Sequence, residues 1–322
     1  MIHSSARVVR LGTSLYLVAI AWMVVTASLT WPISAQRIGV QSVILDTDIG
    51  DDIDDAYALT LLATLSPQKV LGVTTVSGPT EQRAELAAKL LMVAGLPEIP
   101  VYAGHKSDQP MSRQYEWARG FRSANLKELP AIEFLHTQIQ RAPGDITIIA
   151  IGPLTNLADL FQRYPETKGQ IKHIFIMGGG LRVGYDNKPP AVPEYNIKSD
   201  PVSARTVFAS GVPLTMAGLD VTSMMQFDEE RQKQLFAIGT PATSALAALT
   251  NLWGNHIPTL FDPMAVAYAL GYRFADEERQ HVVIDDNGTT RISDGIPNVT
   301  VLLNPRREAF LDWYTTAHFQ KH

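Results

Sequence analysis

At 322 residues the chain is long enough for one large α/β domain or two smaller ones, and its composition, 46% apolar and 18% charged, is that of an ordinary globular protein. A formal net charge of −5, with no run rich in Lys and Arg, argues against a nucleic-acid polymer as partner. The absence of cysteine excludes disulfides, thiol catalysis and Cys-zinc sites, and leaves the redox compartment open.

The first 35 residues stand apart. Arg7 and Arg10 give a basic start, Leu15 to Leu29 is apolar apart from Thr26 and Ser28, and Ser34-Ala35 offers small residues before a cut at Gln36. This is the layout of a secretory signal peptide. The competing reading is an uncleaved anchor, since Leu11 to Trp31 approaches the ~20 residues that span a bilayer. Either way an exported body is expected, periplasmic or secreted, with membrane contact only if the segment stays attached. Residues 36–322 show no composition shift and read as a single domain.

Strands and helices alternate through that body. Ser42 to Leu45 is a short apolar strand, followed by a helix from Asp54 to Leu65 that Ser66-Pro67 ends. Lys69 to Val76 is a second buried strand. Thr80 to Ala94 is an amphipathic helix with Thr80 as N-cap and Gly95 as stop. Ile99 to Ala103 is a strand, and Gly104 to Pro130 reads as a long surface loop. A helix from Ala131 to Arg141, a central strand from Asp145 to Ile151, a helix ending at Tyr164 and a strand from Ile171 to Met177 follow. After the irregular stretch Gly178 to Ser199 come a helix led by Asp200-Pro201, a strand from Val212 to Leu219, and helices from Asp228 to Ile238 and Pro241 to Trp253. A further helix has Asp262 as its N-cap. His281 to Ile284 and Val299 to Leu303 are expected as peripheral antiparallel strands, and Arg306 to His318 as a last helix. The alternation implies an open, mostly parallel twisted sheet with helices on both faces.

The stretch Asp46-Thr47-Asp48-Ile49-Gly50-Asp51-Asp52-Ile53-Asp54-Asp55 holds six carboxylates in ten residues, with nothing basic between Val43 and Gln68. Close like charges repel unless something positive sits among them. A divalent cation is the expected partner, and oxygen-only ligands suit calcium or magnesium. An acidic run is more often a solvated loop before a helix N-terminus. Here, however, it follows the first strand of an α/β sheet, where such folds place ligands. An EF-hand fits poorly, because its sixth and twelfth loop positions fall on Asp51 and Tyr57 rather than Gly and Glu. Gly78, Gly152 to Asn156 and the loop carrying Asn187, Glu194 and Asn196 end other strands and would face the same crevice. Acids and amides without Lys or Arg suit a neutral sugar and suit a phosphate badly, which makes a metal-dependent phosphatase the weaker enzyme reading.

Four pieces carry a resemblance. They are Asp46-Thr47-Asp48-Ile49-Gly50 with Ile53-Asp54-Asp55-Ala56; Gly152-Pro153-Leu154-Thr155-Asn156-Leu157; Met177-Gly178-Gly179-Gly180 leading to Glu194-Tyr195-Asn196; and Asp262-Pro263-Met264-Ala265-Val266. In this order they resemble the inosine-uridine-preferring nucleoside hydrolase family, over nearly the whole chain from Ser42 to about Leu303. The resemblance implies a Rossmann-like fold and calcium-dependent cleavage of the N-glycosidic bond of ribonucleosides to ribose and base. It implies calcium ligands at Asp48, Asp55, Asp262 and, through its carbonyl, Thr155. Asp48 would also take the proton of the metal-bound water. Asp54, Asn196 and Asp262 would hold the ribose 2′- and 3′-hydroxyls, and Glu194 and Asn187 the 5′-hydroxyl. Homo-oligomers are common in that family, the sole ground for expecting one here.

Three departures from the family pattern stand out. Asp51-Asp52-Ile53 lengthens the first motif, which leaves Asp52 as an alternative metal ligand. Pro79 stands where the family often has Asn. Phe261 stands where many members have a His proposed to protonate the leaving base, and Phe cannot donate a proton. Tyr115, Trp117 and Trp253 are candidate stacking residues and His256 a candidate acid, each more often plain packing or surface. Hydrolysis of another N-ribosyl compound, or an exported ribose- or nucleoside-binding protein without turnover, are the alternative readings.

Overall fold

The computed structural model describes residues 42–108, 110, 113–254 and 257–317, with Met1 alone before them. The leader and its cut at Gln36 lie outside the described residues, as does His256. Among the described residues no helix is long and apolar enough to cross a membrane.

Strand β1 (Ser42–Thr47) is buried along almost its whole length, and α1 (Asp54–Leu65) follows the acidic loop. β2 (Val70–Thr75) leads into α2 (Thr80–Val93), which Gly95 ends at φ +83°. Thr80 is not the cap. Pro79 takes that position, and the Thr80 hydroxyl instead donates to the carbonyl of Gly104 at 3.0 Å. After β3 (Val101–Ala103), the expected surface loop contains a 3-10 turn at Arg113–Trp117 and a short edge strand, β4 (Leu126–Lys127). Then come α3 (Ala131–Arg141), β5 (Ile146–Ala150), α4 (Thr155–Arg163), β6 (His173–Met177) and a five-residue helix α5 (Tyr195–Ser199) inside the stretch read as irregular. The chain continues through α6 (Pro201–Phe208), β7 (Leu214–Ala217), α7 (Leu219–Thr222), α8 (Glu229–Ala237) and α9 (Pro241–Trp253). α6 and α9 open as their sequences ask, with Asp200 and Thr240 as side-chain caps and Pro at the first position. α10 (Phe261–Ala269), β8 (Asp276–Gln280), β9 (Val282–Ile284), β10 (Thr290–Ile292), β11 (Val299–Leu303) and α11 (Arg307–Ala317) complete it.

The main sheet runs β4-β3-β2-β1-β5-β6-β7-β11-β8. It is parallel except for β8, which pairs antiparallel with β11, and β9 and β10 form a small antiparallel ribbon. Val299 to Leu303 was expected as a peripheral antiparallel strand. It lies inside the sheet, parallel to β7, and the antiparallel edge strand is β8, whose charged Asp-Glu-Glu-Arg-Gln carries no strand signal. Two apolar cores cover the two faces. One includes residues of α1, α2, α9, α10 and α11, the other residues of α3, α4 and α6. The chain walks outward from β1 to β4 and returns on the other side at β5. The reversal between β1 and β5 is the crevice where open α/β sheets bind ligands.

Candidate active site

The first carboxylate of the acidic stretch is scaffold. Asp46 is fully buried in β1, opposite Thr74 of β2 and Ala150 of β5. Its Oδ1 accepts from the Thr74 hydroxyl at 2.6 Å and from Asn156 Nδ2 at 2.7 Å. Burial outweighs both bonds and pushes its carboxyl up to about 6. Asn156 also donates to the Thr75 carbonyl at 3.1 Å and accepts from the His105 amide at 2.8 Å, so the Leu-Thr-Asn piece ties strand ends together.

The next turn is held from below by a residue that sequence reasoning missed. Arg83 of α2 is fully buried. Its guanidinium donates to the carbonyls of Asp48, Ile49 (3.0 Å) and Ser77 (2.7 Å) and to the Asp51 carboxylate at 2.7 Å. A positive charge therefore does sit against the acidic loop, supplied from a different element. The signal was present: Thr80, Arg83, Ala87 and Leu90 are all buried at helical spacing, and an Arg within an apolar stripe needs a buried partner.

Above this support the remaining carboxylates converge. Asp54 and Asp55 open α1, and Asp262 is the second residue of α10 rather than its cap, which is Leu260. The Asp262 amide donates to Asp54 Oδ2 at 3.2 Å, and the Thr47 hydroxyl donates to Asp55 Oδ1. One oxygen from each of Asp54, Asp55 and Asp262 lies within 4.8 Å of the others, all three residues buried. Burial, then repulsion from neighbouring carboxylates (Asp52 and Asp48 on Asp54, Asp48 and Asp54 on Asp55, Asp54 and Asp55 on Asp262), raises all three well above the ordinary carboxylate range. Asp48 is pushed up to about 7 by burial and by Asp51 and Glu194, with Arg83 pulling the other way. Gly152 faces it: a Cβ there would lie 2.9 Å from Asp48 Oδ1 and 3.0 Å from its amide nitrogen.

These groups form the wall of a cavity of about 440 Å³ that also includes Asp51, Asp52, Ile151, Glu194 and Asn196. That size suits a small organic ligand. Glu194 caps α5, its carboxylate accepting from the amides of Gly179 (2.9 Å), Asn196 (2.9 Å) and Ile197 (3.2 Å). Burial raises it despite those bonds. Asn196 spends its Nδ2 on the carbonyls of Ile151 (3.0 Å) and Met177 (3.1 Å), bridging the ends of β5 and β6 and leaving Oδ1 for a ligand.

Two expected residues are not brought to this cavity. Thr155 begins α4, where its hydroxyl donates to Asp200 at 2.9 Å, and the β5 end reaches the cavity through Ile151 instead. Asn187 is exposed, at φ +58°, in a tight turn closed by Gly184 and Lys188. Tyr185, two residues earlier, takes the place at the wall. Nor do Tyr115, Trp117 or Trp253 line it. The Tyr115 hydroxyl donates to Glu85 at 2.7 Å, Lys89 sits over the Trp117 ring, and all three pack against the core. Among the described residues, the rings at the cavity are Tyr185, Tyr195 and Phe261. Period-based reading passes over Tyr185 because it sits in a turn without periodicity.

Residues 43–312 match the family model described as inosine-uridine preferring nucleoside hydrolase. The chain belongs to the nucleoside hydrolase family. Two curated relatives are named pyrimidine-specific ribonucleoside hydrolase RihA. That of Photobacterium profundum is 32% identical over 305 residues, covering 84% of this chain and 96% of its own length. That of Klebsiella pneumoniae is 32% identical over 308 residues with the same coverage. Among solved structures, a plant nucleoside hydrolase, the PpNRh1 enzyme, superposes with a TM-score of 0.76 at 23% identity, covering 88% of this chain and all of that one. The purine-preferring ribonucleoside hydrolase from Gardnerella vaginalis does so at 0.72 and 25%, covering 87% and 100%.

As a nucleoside hydrolase the protein is an N-ribosyl glycosidase, and the family is metal-dependent in general. The residues present fit a cation. Three buried carboxylate oxygens within 4.8 Å are a donor set that repels itself when ionised, and all-oxygen donors suit a hard divalent ion. In the wall of that cavity this nucleoside hydrolase carries Phe261, whose ring meets that of Tyr185 edge to face at 6.0 Å.

Proposed function

We propose that the protein is a calcium-dependent ribonucleoside hydrolase that releases ribose and a free base. The carrying observation is the meeting of the Asp54, Asp55 and Asp262 oxygens in the wall of a cavity of nucleoside size. In this reading Asp48, Asp55 and Asp262 hold the cation, with Asp52 as the alternative ligand and a carbonyl from the β5 end completing the set. When bound, the cation makes a water more acidic and anchors ribose hydroxyls.

The chain's own residues do the rest. Asp48, buried at the cavity wall, takes the proton of the attacking water. Asp54, Asp262 and Asn196 orient the 2′- and 3′-hydroxyls, and Glu194 the 5′-hydroxyl. As the C1′–N bond breaks, positive charge develops on the sugar, and the surrounding carboxylates stabilise it. Ile151, Met177 and Pro110 line the rest of the cavity and limit water.

The test is ribose release from uridine, cytidine, inosine and adenosine, with calcium and with a strong chelator. Calcium-dependent release from any of them supports the reading, and undiminished release in chelator overturns the metal requirement. Asp48→Ala is expected to abolish release. We also infer export, on the composition of residues 1–35. N-terminal sequencing of protein recovered from cells supports this if it begins near Gln36, and a cytoplasmic chain beginning at Met1 overturns it.

A further inference from the structure

We propose that Gln114 is a positioning residue for catalysis: from the segment read as a surface loop it fixes the main chain of Asp51 and Asp52, and through it the setting of Asp54. The proposal rests on the ribohydrolase reading of the cavity and adds a residue to it.

Gln114 is fully buried, within the 3-10 turn Arg113–Trp117, and is not part of the cavity wall. Its Nε2 donates to two successive carbonyls, that of Asp51 at 3.1 Å and that of Asp52 at 2.9 Å. A side-chain amide nitrogen carries two hydrogens, one for each oxygen. Each carbonyl belongs to a planar peptide unit, so holding both units fixes the two backbone dihedrals of Asp52 between them. The second unit also contains the Ile53 amide, which donates to the Asp52 carboxylate at 2.7 Å, and Asp54 follows as the first residue of α1. Arg83 takes the carbonyls of Asp48 and Ile49 in the first half of the loop. Gln114 does for the second half what Arg83 does for the first.

The turn that carries Gln114 is itself fastened to α2. The Tyr115 hydroxyl donates to one oxygen of Glu85 at 2.7 Å, and Arg122 donates to the other. Lys89 lies 4.4 Å from the centroid of the Trp117 ring and donates to the Trp117 carbonyl. Glu85 and Lys89 are one turn apart on the same face of α2. The rings that the sequence offered for stacking on a base are thus anchors on either side of the turn. One helix braces the acidic loop twice, directly through Arg83 and indirectly through Gln114.

Displacing a group that aligns the substrate by about 1 Å can cost about a hundredfold in rate. Binding suffers less, because Asp54 shares the hold on ribose with Asp262, Asn196 and Glu194. The cation suffers less as well, because Asp48 and Asp55 are fixed by other bonds, from Arg83 and from the Thr47 hydroxyl.

The experiment measures kcat and KM for ribose release from uridine and inosine, and the calcium Kd by titration with the metal alone. Gln114→Met keeps the length of the side chain and removes both donors. Its kcat is expected to fall about tenfold or more, with KM and calcium Kd each changed less than about threefold. Tyr115→Phe, which touches neither the loop nor the cavity, is expected to lower kcat in the same sense and to add nothing in the Gln114→Met background, since both act through one contact. Should Gln114→Met not fold, Tyr115→Phe and Trp117→Leu carry the test, each lowering kcat while KM and calcium Kd hold. Unchanged kcat, or a loss that appears equally in KM and calcium Kd, overturns the proposal and leaves the ribohydrolase reading intact, as do effects of the two substitutions that simply multiply. Release of ribose from neither substrate by the wild type overturns both.

Discussion

The guanidinium of Arg83, fully buried and not part of the cavity wall, donates to the carbonyl of Asp48. With its bonds to Ile49, Ser77 and Asp51, it fixes the turn that presents the carboxylates. Arg83→Met leaves those carbonyls without a donor and Asp51 without its partner. The expected cost is about 3 kcal/mol of stability, read by urea denaturation, with a fall in kcat/KM of at least tenfold. Arg83→Lys is not expected to rescue either, since one ammonium cannot span four acceptors held by a planar fork. Full stability in Arg83→Met would contradict this.

Gly152 also packs closely against Asp48. A methyl group there would press on Asp48 Oδ1, the Asp48 amide and the Val76 side chain, at 2.8 to 3.0 Å. One of those neighbours, the Asp48 amide, is backbone and cannot swing away. Gly152→Ala is therefore expected to cost about 1–3 kcal/mol by overpacking and to lower kcat/KM disproportionately, because the displaced atom belongs to the carboxylate that we propose takes the water's proton. Unchanged kinetics with reduced stability would show that the strain is absorbed at Val76.

What was legible in the sequence follows the range of the physics. α1 over Asp54 to Leu65, α3 over Ala131 to Arg141 and α9 over Pro241 to Trp253 were readable to the residue, because caps, Pro and apolar spacing are local signals. The buried parallel strands were readable as apolar runs. β8 was not, since an exposed edge strand of charged residues has no apolar face. At the site, one continuous segment supplied Asp48, Asp54 and Asp55, while Asp262 joined them only through the order of the motifs. Arg83 and Tyr185 act across more than thirty residues of chain or from an aperiodic turn, and no local pattern assigns them. Thr155 and Ile151 differ by four residues around one strand end, a distinction that depends on which backbone atoms face the crevice.

Asp46 gives a pH dependence with a definite sign. Its folded carboxyl lies near 6, against an ordinary 3.8, so the folded state holds a proton that the unfolded chain has lost. Its contribution to stability is therefore fully present below about pH 4 and is lost as pH rises to 6, amounting to roughly 3 kcal/mol. Asp46→Asn cannot ionise. Measured in chelator, the stability of the wild type relative to Asp46→Asn is expected to fall between pH 4 and 6 and to stay level above. A difference that rises with pH would mean that Asp46 is ionised in the fold.

Removal of the cation tests the cluster itself. Without it, Asp54, Asp55 and Asp262 oppose one another in a buried space, and each is held above its ordinary range. A ligand that binds only the folded state adds stability in proportion to the logarithm of its concentration over Kd, about 2.7 kcal/mol at a hundredfold excess over Kd. Thermal unfolding with calcium is thus expected well above that in chelator, with a gap that widens at pH 8 relative to pH 5. Asp262→Asn removes one of the opposed charges and one ligand together. Its Tm in chelator is expected at or above that of the wild type, while its calcium-induced rise shrinks to a small fraction and ribose release disappears. If Asp262→Asn instead lowers Tm in chelator and keeps the full calcium-induced rise, the three carboxylates are a structural network and the cation binds elsewhere.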